Sequence, residues 1–110
     1  MVGILMGSKS DLEVVRNAFD VLDSFGVPFT ARILSAHRTP VEAAEFAENA
    51  EKSGIKVIIC AARMAAHLGG VIAGHTTLPV VGIPMVSEPF KAADSLLSVV
   101  QMPPGIPVAA

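Results

Sequence analysis

Six residues, Ser35-Ala36-His37-Arg38-Thr39-Pro40, set a hydroxyl, an imidazole and a guanidinium between an apolar run and the start of a helix. These groups suit an anionic ligand on which a proton moves. A guanidinium can pair with a phosphate through two parallel hydrogen bonds, and an imidazole exchanges protons close to neutral pH. The plainer alternative is Arg38 as a solvated surface cation and His37 as a hydrogen-bonded structural side chain. A second cluster, Gly7-Ser8-Lys9-Ser10-Asp11, can cradle a phosphate. Glycine lets the backbone approach, Ser8, Ser10 and helix N-terminal amides donate hydrogen bonds, and the helix dipole favours an anion. The pattern is neither a Walker loop nor GxGxxG, and it reads equally as a well-capped helix. Asp11 suits the positive end of that helix or a pair of ribose hydroxyls. His67, in Met64-Ala65-Ala66-His67-Leu68, has small neighbours that admit a planar ligand, or is a helix-face histidine bonded to a carbonyl. His75 has no partner pattern and is expected to be structural. Three histidines without metal-ligand spacing and one cysteine in an apolar run give no expectation of a metal site. No nucleophile, base and orienter triad stands out.

The elements that must position these residues alternate. Val2-Gly3-Ile4-Leu5-Met6 is a continuous apolar run that suits a strand buried on both faces. Ser10 and Glu13 form a capping-box pattern for a helix with Leu12, Val15, Phe19 and Leu22 on one side, closed by Gly26. Residues 27–34 read as the second strand. Thr39, Pro40 and Glu42 then predict a helix over 40–53 that buries Val41, Ala44 and Ala47, with Glu48 and Lys52 paired on its outer face. A third strand is expected over 56–60, with 61–70 a loop entering a short helix through Gly74. A fourth strand is bracketed by Pro79 and Pro84, and a last helix runs from Glu88 to about Met102. Residues 106–110 look like the beginning of a fifth strand. This alternation predicts a flavodoxin-like doubly wound parallel sheet, a three-layer α/β/α architecture with its last strand incomplete. In such a sheet Ser8, Asp11, Ser35, His37, Arg38 and the loop over 61–70 share the carboxyl edge.

At 110 residues the chain is expected to form one domain over 1–110. It is 52% hydrophobic and 16% charged with a net charge of -2, more apolar than a typical monomer, which points to subunit contacts. Without a broad basic field no nucleic-acid partner is expected. A single cysteine excludes an internal disulfide and fits a reducing cytoplasm. No apolar stretch reaches about 18 residues and no signal peptide is visible, so neither a membrane partner nor export is expected.

Four segments carry a resemblance: Met6-Gly7-Ser8-Lys9-Ser10-Asp11, Ser35-Ala36-His37-Arg38-Thr39-Pro40, Ala65-Ala66-His67-Leu68 and Asp94-Ser95-Leu96-Leu97-Ser98-Val99-Val100-Gln101-Met102-Pro103. In this order, over essentially the whole chain, they resemble the N5-carboxyaminoimidazole ribonucleotide mutases, catalytic carboxylases of purine biosynthesis. The resemblance implies a cofactor-free rearrangement in which a carboxyl group moves from the exocyclic nitrogen to ring carbon four, in a cytoplasmic homo-octamer of flavodoxin-like subunits. It also implies that Ser8, Ser10 and Arg38 hold the phosphate of a small-molecule ribonucleotide and Asp11 its ribose. Ser35 and His67 would line the substrate site, and His37 would carry the proton. The related carboxylase that uses free carbon dioxide, and a nucleotide-binding remnant without turnover, are the alternative readings. An electron-transfer flavoprotein has only fold analogy behind it.

The sequence departs from the family's pattern in two places. Cys60-Ala61-Ala62-Arg63 stands where the family shows a glycine-rich segment, and Gly69 where proline or alanine is usual. The Arg63 side chain is expected either to occlude the pocket or, where the backbone needs a positive φ, to clash. Family members also continue into further helices beyond the matched segments, so weak activity and poor assembly are the expectation for residues 1–110.

Overall fold

The computed structural model describes residues 1–110. Four parallel strands lie in the order β2-β1-β3-β4: β1 Val2–Met6, β2 Phe29–Ile33, β3 Val57–Arg63 and β4 Val80–Met85. Helices α1 Leu12–Ser24, α2 Pro40–Ala50, α3 Leu68–Ala73 and α4 Ala93–Val100 connect or follow them. This is the expected flavodoxin-like order. Met6 is in register with Ile33 on one side and Ala61 on the other, so β1 and β2 end together, β3 runs two residues further, and all three deliver their loops to one edge. Ala109 forms a parallel bridge to Val81, donating to the Val80 carbonyl at 3.0 Å, which is the start of the expected fifth strand.

Side-chain alternation divides the core in two. Leu5, Ile58, Cys60 and Val80 pack with Ala43, Ala47 and Ala50 of α2 and Leu68 and Ile72 of α3. Ile4, Met6, Ala61 and Met85 form a smaller cluster with Val15 of α1, flanked by Leu12, Phe19 and Leu22. Burying each large aliphatic side chain contributes about 1.5–3 kcal/mol, so β1 and β3, with Ile4, Leu5 and Ile58 at full burial, anchor the sheet. Gly26 and Gly54 take φ of +68° and +88° just after α1 and α2 and turn the chain back into the sheet.

Several local expectations are corrected. The Ser10–Glu13 capping box does not form: a 3-10 turn, Lys9–Asp11, precedes α1, and Ser8 caps it by accepting from the Ser10 amide. In α2 the buried positions are Ala43, Ala47 and Ala50, while Val41 is 63% exposed and Ala44 only partly covered. Those three alanines pack in one cluster with Leu68 and Ile72 of α3, so this stripe, and not the one carrying Val41, faces the core. Thr39 makes no side-chain cap to α2. Glu48 pairs with His75 Nδ1 at 3.1 Å across the α2–α3 face instead of with Lys52. β3 runs three residues beyond Cys60, because β4 supplies ladder partners for Ala61, Ala62 and Arg63. Finally, α4 begins at Ala93, five residues after Glu88, since an antiparallel bridge between Ser87 and Lys91 folds the preceding segment into a turn.

Candidate functional site

Three loops at the carboxyl edge build the site. In the first, the Gly7 amide donates to the Ala61 carbonyl at 3.1 Å, prolonging the β1–β3 ladder by one residue and holding the turn against β3. The Ser8 and Ser10 hydroxyls lie 3.0 Å apart and Asp11 turns inward, only 1% exposed. In the second, Leu34 donates to the Met6 carbonyl, and Ser35 then closes a small ring with Thr39. Thr39 Oγ1 accepts from the Ser35 amide at 2.8 Å and donates to the Ser35 carbonyl at 3.2 Å. Ser35 Oγ accepts from the amides of His37 and Arg38 at 3.2 and 3.0 Å. That oxygen therefore fixes the backbone that carries the imidazole and the guanidinium.

The third loop leaves β3 through Met64, whose φ of +57° puts it in the left-handed region. That conformation costs about 1 kcal/mol or more for a residue with a side chain. The turn brings His67 to His37, Nδ1 to Nε2 at 2.9 Å, with the rings edge-on. One imidazole must donate along this contact and the other accept.

Ser8, Ser10, Asp11, Ser35, His37, Arg38 and His67 all line one cavity of about 310 Å³. Every site residue expected from the sequence is thus brought to one place. A larger groove of about 1120 Å³ lies beside the amino end of β4, but its ionisable side chains are Glu48, Glu51 and His75, away from the three loops. The convergence of polar groups favours the smaller cavity as the ligand site.

Sequence reasoning missed the partnership inside it. Arg63 Nε donates to Asp11 Oδ1 at 2.9 Å, and Nη2 donates closely to the same oxygen. The guanidinium makes the buried carboxylate tolerable, yet Asp11 Oδ2 is left buried without a partner. Of the two outcomes expected for Arg63, the clash does not occur: Arg63 belongs to β3, and Met64 takes the positive φ. The available signal was a lone cation at the end of a small-residue strand, beside the strand that leads to Asp11. Cys60, also on β3, takes no part: burial pushes its thiol up to about 12, so it stays protonated.

A flavodoxin-like sheet with a histidine pair, two guanidiniums and paired serines at its carboxyl edge defines the class as an α/β domain with a polar cavity at the strand ends. The family described as AIR carboxylase matches residues 1–110, and the chain belongs to that family. It is 57% identical over 109 residues to the N5-carboxyaminoimidazole ribonucleotide mutase of Pyrococcus horikoshii, covering 99% of this chain and 62% of that protein. The protein of the same name from Bacillus subtilis is 54% identical over 109 residues, covering 99% of this chain and 67% of that protein. Among solved structures, the crystal structure of Treponema denticola PurE superposes with a TM-score of 0.89 at 31% identity, covering 98% of this chain and 68% of that one. The chain thus spans a little under two thirds of the length of the Pyrococcus relative.

Proposed function

We propose that this chain carries the chemistry named for its relatives, converting N5-carboxyaminoimidazole ribonucleotide to the isomer carboxylated at ring carbon four. The observation that carries the reading is the His37–His67 pair, in contact at 2.9 Å, in a cavity shared with Ser8, Ser10 and Arg38. Ser8, Ser10 and Arg38 hold the phosphate and Asp11 the ribose hydroxyls, while Ser35 acts through the turn it fixes. His37, steadied through one ring nitrogen by His67, protonates the exocyclic nitrogen as its bond to the carboxyl carbon breaks, with that bond's electron pair going to nitrogen. The carbon dioxide released forms a bond to ring carbon four, and His37 takes back the proton which that carbon loses. Atoms and electrons balance between the substrate and one imidazole. Enclosure keeps the carbon dioxide beside its acceptor, which is catalysis by proximity.

We further propose a cytoplasmic homo-oligomer, up to the octamer the resemblance implies. Exposed Phe25, Val86, Phe90 and Leu97 support subunit contacts. The name its relatives carry favours the mutase over a carboxylase fed by free carbon dioxide. One observation favours a second reading, binding without turnover: Arg63 already occupies the Asp11 carboxylate.

The test follows absorbance of the product from N5-carboxyaminoimidazole ribonucleotide, with His37→Asn alongside. Turnover in the unmutated chain, reduced at least a hundredfold in His37→Asn with binding retained, is the expected result. Binding without turnover in the unmutated chain establishes the second reading.

A further inference from the structure

The proposed chemistry gives Arg63 no task, yet Arg63 lines the cavity beside Asp11. Its side chain is 30% exposed while its partner carboxylate is 1% exposed, so the guanidinium covers Asp11 and faces the cavity itself. Both of its contacts fall on Oδ1, its Nη1 makes no hydrogen bond, and Asp11 Oδ2 beneath it is buried and unsatisfied. A guanidinium that met this carboxylate fork to fork would satisfy both oxygens. The pairing seen leaves one acceptor and at least one donor nitrogen unused, which suits partners that exchange.

The charge count points the same way. The cavity is lined by one carboxylate, Asp11, and two guanidiniums, Arg38 and Arg63. A ligand that brought only a phosphate to Arg38 and hydroxyls to Asp11 would strand the second cation. We propose that Arg63 is a specificity-determining residue for a second anionic group on the ligand, a carboxylate separate from the phosphate. As the ligand enters, its hydroxyls replace the guanidinium on Asp11, and the freed N–H groups of Arg63 take the carboxylate. One buried ion pair is thereby exchanged for two satisfied partnerships. The ligand class is a ribonucleotide with a carboxylate on its base. This assignment rests on the function proposed above and deepens it.

Two nucleotides that differ only at that group provide the test: 4-carboxy-5-aminoimidazole ribonucleotide and its uncharged isostere, 5-aminoimidazole-4-carboxamide ribonucleotide. Isothermal titration calorimetry on the full chain should show the carboxylate bound about tenfold tighter or more. In Arg63→Gln the ratio should fall to within about twofold, whereas Arg63→Lys, which keeps the charge, should retain a preference. Arg63→Gln leaves Asp11 uncompensated, so Asp11→Asn/Arg63→Gln, which removes both charges, guards against misfolding and should also lose the preference. If both nucleotides bind and Arg63→Gln keeps the ratio, or Arg63→Lys loses it as fully as Arg63→Gln, the assignment is overturned and the proposed function stands. If the unmutated chain binds neither nucleotide, both are overturned.

Discussion

Ser35 shows how much one oxygen organises. Its Oγ accepts from two successive amides, and its own amide and carbonyl are both held by Thr39 Oγ1. Removing the hydroxyl strands two N–H groups in a partly exposed turn, so Ser35→Ala should cost about 1 kcal/mol of stability. Misplacing His37 by a fraction of an ångström matters more to chemistry than to folding. Turnover under the proposed function should therefore fall at least tenfold, more in kcat than in KM, which steady-state kinetics and urea unfolding would show together. Cys60 makes the opposite point, a reactive group silenced by its place. Its thiol is raised from 9.0 to about 12 by burial, so between these values the folded chain keeps a proton that the unfolded chain has lost. That contribution to stability is whole below pH 9.0 and drains away as pH rises toward about 12. Cys60→Ala should be less stable by about 1 kcal/mol at pH 8, from the lost sulfur contacts. The gap should close and change sign by about pH 10.5 in urea titrations, because only the unmutated chain loses the proton-linked contribution, and a gap independent of pH would contradict the assignment. The native thiol should also resist thiol reagents at pH 8 until the chain is unfolded.

Strands and helices put different constraints on the same residue type, and two glycines show it. Gly69 lies near the start of α3, and a methyl group there would meet Val108 Cγ1 at 3.4 Å and Cys60 Cβ at 3.8 Å, ordinary contact distances. Gly69→Ala should stabilise by about 0.5–1 kcal/mol, because it restricts the unfolded chain at no steric cost. Gly82 sits in β4, where the same methyl would come within 2.6 Å of Val99 Cγ1 on α4. Gly82→Ala should push α4 off the sheet and cost about 1–3 kcal/mol. Equilibrium unfolding of the two variants tests both signs at once, and equal effects would contradict the packing described.

Element order was the most legible part of the sequence, since glycines and prolines punctuate apolar runs whose lengths separate strand from helix. Element ends were less legible because tertiary partners decide them. β3 reaches Arg63 only because β4 pairs there, and α4 starts late only because Ser87 meets Lys91. The site's membership was legible because each loop carried polar residues into an apolar chain. Its internal contacts were not. Asp11 and Arg63 are 52 positions apart, His37 and His67 are 30 apart, and no local pattern announces either pair.

At the scale of the whole molecule, an apolar face adjoins the site. Val86, Phe90, Leu97 and Val100, in and before α4, are all more than half exposed, with Phe90 at 65% and Leu97 at 55%. Leu97 and Ser98 line a depression together with His67, and Ser98 Oγ donates to the Met64 carbonyl at 3.4 Å, so α4 continues into the rim of the candidate site. A face of this kind on an 11.4 kDa chain that is only 16% charged favours cover by another copy. The position of α4 couples that cover to the third loop, because a subunit seated on Leu97 presses on the helix that holds Met64 and borders His67. Assembly and turnover should therefore fall together. In sedimentation equilibrium the unmutated chain should exceed its monomer mass, and its specific activity under the proposed function should drop on hundredfold dilution. Leu97→Glu, which places a charge in the centre of the face without touching the cavity that holds Arg38 and Asp11, should shift the mass to that of the monomer and lower turnover several-fold at every concentration. A monomer with dilution-independent turnover, or a Leu97→Glu variant that assembles normally, would show that α4 faces solvent in the working protein.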